Sequence, residues 1–148
     1  MRRTTNRLVP ALFAAVLAMP GLAQQAARAA SVAPAGATAG FANLKDGDTV
    51  TSPFTVKFTV TGLTVAPAGT TAPNTGHFHL LIDVPPQSPD APGAIPKDAA
   101  HLHFGKGQTE TSLTLKPGHH TLQVVMGDGL HQLHKPAVMS PVIGITVR

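Results

Sequence analysis

Phe54-Thr55-Val56-Lys57-Phe58-Thr59-Val60-Thr61 alternates apolar and polar side chains over eight positions. A period of two is the pattern of a β-strand with one buried face, because successive side chains leave a strand on opposite sides. Phe54, Val56, Phe58 and Val60 are expected inward, with Thr55, Lys57, Thr59 and Thr61 outward. Further strands are predicted at 76–83, 101–104, 108–115, 119–126 and 142–147. Turn chemistry separates them: Asp46-Gly47, Pro117-Gly118 and Gly127-Asp128-Gly129, with a Pro-rich extended loop over 85–96. With 14 Gly and 14 Pro in 148 residues, long helices are disfavoured. The predicted fold class is all-β: a single immunoglobulin-like antiparallel β-sandwich of six to seven strands, occupying 40–148.

The first 39 residues read differently. Arg2, Arg3 and Arg7 precede an apolar run from Leu8 to Ala18, and Pro20-Gly21 breaks it. That run is too short to span a bilayer and has the layout of a secretory signal, assigned to 1–23 with cleavage after Ala23 or, alternatively, Ala29. Residues 24–39 are small and low in complexity, and are expected to form a flexible tether, with order beginning near Phe41. The expected location is periplasmic or secreted, with no membrane span after signal removal. Removing the three arginines leaves 8 basic against 7 acidic residues, a balance that gives no ground for nucleic-acid binding. Cysteine is absent, so neither disulfides nor thiolate ligands enter the reading.

All eight histidines lie between positions 77 and 134. In Gly76-His77-Phe78-His79-Leu80-Leu81-Ile82-Asp83, His77 and His79 leave one side of the predicted strand, while Phe78, Leu80 and Ile82 leave the other. His101-Leu102-His103-Phe104 repeats the device. An i, i+2 pair of imidazoles on a strand is a natural chelate, and two such pairs on neighbouring strands can direct several nitrogens at one point. His77, His79, His101 and His103 are therefore the leading candidate ligands, and His131 and His134, on the loop after Gly127, are placed to close over them. Asp83 and Asp128 are candidates to orient imidazole N–H groups, and His120 is expected on the core side, hydrogen-bonded. A single histidine in isolation is more often a solvated or hydrogen-bonded surface group; the repetition is what favours a site. Imidazole without thiolate suits Cu(II) or Zn(II), with copper preferred by association with an exported compartment. Gly105-Lys106-Gly107 lacks the spacing of a phosphate loop, and Glu110 is the only glutamate, which disfavours paired-carboxylate chemistry.

Several blocks together resemble a family of small exported bacterial proteins classed as a domain of unknown function, number forty-three ninety-nine. They are Phe41 to Val50, Gly76 to Asp83, His101 to Glu110, Pro117 to Gln123 and Gly127-Asp128. The resemblance implies that the family's histidine and aspartate pattern falls on His77, His79, His101, His103, His120, Asp128, His131 and His134, while His119 matches none of its histidines. The chain departs from it at Phe78, where a third histidine is often present, and after His134, where an acidic residue is usual. The His-x-His strand is also loosely similar to copper–zinc superoxide dismutases, without their cysteines. The expected function is an exported metal-binding protein, a carrier, buffer or sensor component and not an enzyme, with a metal ion and a periplasmic protein as its partners. The alternatives are a non-metal docking module of the cell envelope and a Cu/Zn-dependent oxidoreductase of dismutase type.

Overall fold

The computed structural model describes residues 29–148; the predicted signal at 1–23 and the start of the tether lie outside them. Among the described residues nine strands and no helix are formed: β1 Thr38–Phe41, β2 Thr49–Val50, β3 Phe54–Thr61, β4 Thr64–Val65, β5 Thr75–Ile82, β6 His101–His103, β7 Glu110–Leu113, β8 Gly118–Gly127 and β9 Ile143–Val147. They make a three-stranded sheet, β1-β3-β7, and a six-stranded sheet, β2-β9-β8-β5-β4, in which β6 also pairs with β5. Among the described residues no helix is long and apolar enough to cross a membrane. The all-β prediction holds, and the strand at 54–61 has the predicted bounds. Three very short or irregularly patterned strands (β1, β2, β4) raise the number above the six or seven expected. Two of the pairings, β2 with β9 and β4 with β5, are parallel, so the arrangement is not purely antiparallel. Two-residue strands are too short to show a period, which is why the pattern missed them.

One core lies between the sheets. Val56 and Phe58 from β3 meet Phe78 and Leu80 from β5, Leu122, Val124 and Met126 from β8, and Ile143, Ile145 and Val147 from β9. The alternating residues selected by period are the buried ones. Phe58 joins the two sheets, its ring 5.1 Å from that of Phe78 and 4.8 Å from that of Phe104.

The expected tether is corrected in its second half. Ala33 N–H donates to the Lys135 carbonyl at 3.0 Å and Lys135 N–H to the Ser31 carbonyl at 2.9 Å, and Ala33 is buried. A low-complexity composition does not show that backbone groups have found partners 100 residues away. Order therefore begins by Ser31, about ten residues before Phe41.

β5 is the pivot of the larger sheet. Its neighbours are β8, with Leu80 opposite Val124, and β6, with His79 opposite His103. Its inner face, with Phe78, Leu80 and Ile82, points into the core. Its outer face, with His77, His79 and Leu81, is covered in turn by a smaller apolar group of Leu81, Ile95, Val125 and Leu133. Two loops, over 84–96 and 128–142, supply Ile95 and Leu133. A loop rich in proline thus caps the outer face, and all eight residues of β5 are shielded from solvent in whole or part.

Candidate metal centre

His77 and His79 are fully buried on the outer face of β5. The antiparallel register sets His103 of β6 directly across from His79, and alternation keeps both rings on the same side. The fourth imidazole, His131, arrives from the loop after β8. Their ring centroids are separated by 4.7–5.0 Å in five of the six pairs and by 5.9 Å between His79 and His131. Four imidazoles bound through nitrogen at about 2.0–2.1 Å to one ion would have centroids about 5 Å apart at the corners of a tetrahedron. A square arrangement would lengthen two of the six separations by a factor of about 1.4, which is not observed. Nitrogen positions are more selective than ring centres. His77, His103 and His131 present nitrogens that all lie within 4.8 Å of one another. His131 Nε2 lies 3.0 Å from His103 Nε2, and His79 Nε2 lies 3.1 Å from His77 Nε2 without joining that set of three. The nitrogens, not the ring centres, define ligation; the set is therefore three convergent imidazoles with His79 beside them.

Space for these rings comes from glycine. A Cβ on Gly127 would lie 2.8 Å from His79 Nε2, and one on Gly105 would overlap the His103 ring, 2.6 Å from its Nε2. In the sequence, Gly127 reads only as a turn former and Gly105 only as part of a failed phosphate-loop match.

Electrostatics favour neutral rings. Burial, followed by repulsion from His131 and His103, lowers His77 to about 4. Burial, then His77 and His103, lowers His79 to about 3, and burial and His131 lower His103 as well. Neutral imidazole carries the lone pair a metal ion needs. Among the described residues, His77 Nδ1 and His79 Nδ1 have no hydrogen-bond partner, so these ligands lack the carboxylate or carbonyl support usual behind a metal-bound histidine.

The other predicted residues are placed elsewhere. His101 shares the outer face but lies opposite Leu81, one step farther along, and its Nδ1 meets Asp98 Oδ1 at 2.8 Å; it is not in the converging set. His134 is buried, with Nε2 donating to the Thr75 carbonyl at 3.0 Å. It lies against Gly76 on the inner side, where a Cβ would come within 2.9 Å of its ring. Asp83 does orient an imidazole, but that of His120: Nδ1 donates to its Oδ2 at 2.7 Å, while Nε2 donates to the Lys116 carbonyl at 2.8 Å. His120 is therefore a half-buried clip between the ends of β5 and β8, away from the cluster. Among the described residues Asp128 hydrogen-bonds to no imidazole; its carboxylate accepts from Ser31, Leu130 and Gln132.

The sequence profile described as "Domain of unknown function (DUF4399)" matches residues 56–148, which include every strand carrying the cluster. The chain belongs to this family. Of the histidines within that block, the fold gathers His77, His79, His103 and His131 and separates His101, His120 and His134. No curated protein and no solved structure matches the chain significantly.

Proposed function

We propose that this member of DUF4399 is an exported protein that binds one metal ion through His77, His103 and His131, with His79 available as a fourth ligand, and acts as a carrier or buffer. The convergence of these imidazoles from β5, β6 and the loop after β8 carries the reading. Imidazole nitrogens without thiolate suit Zn(II) and Cu(II) alike; Zn(II) accepts three or four of them in a tetrahedral site and is the first ion to test. Export rests on the character of residues 1–23. A carrier fits better than an enzyme for two reasons. The buried Nδ1 atoms lack supporting acceptors, which weakens affinity by about 10–100-fold relative to a fully supported site and suits exchange. Among the described residues, the carboxylates of Asp128 and Asp98 accept from backbone amides and from Ser31 or His101, so neither stands as a free base.

Zinc and copper titrations of the protein, followed by dialysis and metal analysis, test this. About one equivalent of Zn(II) should be retained, and His77→Ala with His103→Ala should abolish it. Retention below about a tenth of an equivalent of either metal would overturn the proposal. Loss of affinity in His79→Ala would show four-nitrogen ligation; unchanged affinity would show three.

A further inference from the structure

His131 is the one cluster member that does not belong to a strand, and its backbone is left-handed, with φ 64°. A non-glycine residue held there costs about 1–2 kcal/mol, so surrounding bonds must impose it. They do. Asp128 Oδ1 accepts the N–H of Leu130 at 2.8 Å and of Gln132 at 3.0 Å, the amides on either side of His131. His131 N–H returns to the Asp128 carbonyl at 2.9 Å, and the His131 carbonyl accepts from Ile95 N–H at 2.7 Å. Asp128 Oδ2 accepts both the N–H and the hydroxyl of Ser31, at 3.1 and 3.0 Å, across 97 positions of sequence. Asp128 is 2% exposed and, among the described residues, no cation pairs with it, so these four donors are what compensate its burial there. Ser31 in turn is fixed by the two backbone bonds that join its arm to Lys135.

We propose that Asp128 and Ser31 are positioning residues for the metal site: a latch through which the N-terminal arm holds His131 in register with His77 and His103. This rests on the metal-binding reading. Neither residue touches the ion. Without the Ser31 hydroxyl, Asp128 Oδ2 keeps only the residue's backbone amide as donor, and the turn that fixes the His131 backbone loosens. The arm beginning at Ser31 is thus part of the metal centre, although it lies outside the block matched by the family profile.

Amide hydrogen exchange in the metal-free protein and Zn(II) affinity are to be measured side by side for the wild type, Ser31→Ala, Ser31→Thr and Asp128→Asn. Ser31→Ala should speed exchange at Leu130 and Gln132, leave exchange in β3 unchanged, and weaken Zn(II) binding about tenfold. Ser31→Thr, which keeps the hydroxyl, should restore both, and Asp128→Asn should exceed Ser31→Ala in both. If Asp128→Asn fails to fold, the serine pair still decides. Unchanged exchange at Leu130 and Gln132 in Ser31→Ala overturns the latch, as does faster exchange with unaltered zinc affinity. If the wild type binds no zinc, the metal reading fails by itself, and the exchange measurement still tells whether the arm holds His131.

Discussion

Single imidazoles in this protein respond to pH in opposite directions. His77 and His79 sit well below the ordinary 6.5, at about 4 and about 3, because burial and neighbouring rings oppose a charge. The unfolded chain binds protons there before the folded chain does, so stability is full above pH 6.5 and falls as the pH drops toward 4 and 3. The metal-free protein should melt progressively lower between pH 6.5 and 4. The ring signals of His77 and His79 should not titrate between pH 7 and 5 in NMR; midpoints near 6.5 would contradict the burial argument. His120 behaves inversely. Both its nitrogens face acceptors, Asp83 and the Lys116 carbonyl, and only an imidazolium donates from both. The Asp83 bond, then the Lys116 bond, raise its pKa. Its contribution is present below pH 6.5 and is lost as the pH rises through the folded value. His120→Gln should therefore lower stability at acid pH and remove the fall that accompanies His120 deprotonation on the alkaline side.

At the level of elements, β5 and its two neighbours make the site by register and by glycine. Gly105 and Gly127 lie where a methyl group would meet the end of a histidine ring and not backbone, so the ring yields and the sheet does not. Gly105→Ala, which displaces the His103 ring, should weaken Zn(II) binding about tenfold or more, and Gly127→Ala should match His79→Ala in its effect, each with a melting temperature within a few degrees of wild type. Calorimetric titration beside a thermal melt checks both halves of the expectation. Gly129 is a different case. A Cβ there would overlap the Thr70 carbonyl oxygen, which cannot turn aside, so Gly129→Ala should displace the loop carrying His131. Strand alternation made His77, His79 and His103 legible, since the face of a side chain is a local property. The fit of glycine against a ring from another strand has no local signature.

Across the whole molecule, stability and site share one wall. Phe78 lies between His77 and His79 in sequence and points the other way, and Phe104 directly follows His103; both rings pack on Phe58. Phe58→Ala should cost about 3–5 kcal/mol, measured by denaturant unfolding. Because the cavity would open behind β5 and β6, zinc affinity should fall with it. Zinc at about 100 times its dissociation constant should stabilise the wild type by about 2.7 kcal/mol, and should do so less in this variant.

Sequence by itself determined the strand class, the inward row of each longer strand and the shared face of the two His-x-His pairs, because a period of two is imposed by the backbone at each residue. It did not determine which histidines meet. Sliding β6 by two residues along β5 would leave every side chain on its own face and bring His101, not His103, opposite His79. Alternation is blind to that choice. The tertiary structure makes it, by fixing the register of β6 and binding His101 to Asp98. It then supplies His131 from a left-handed turn latched to Ser31, a contact spanning 97 positions that no local pattern encodes.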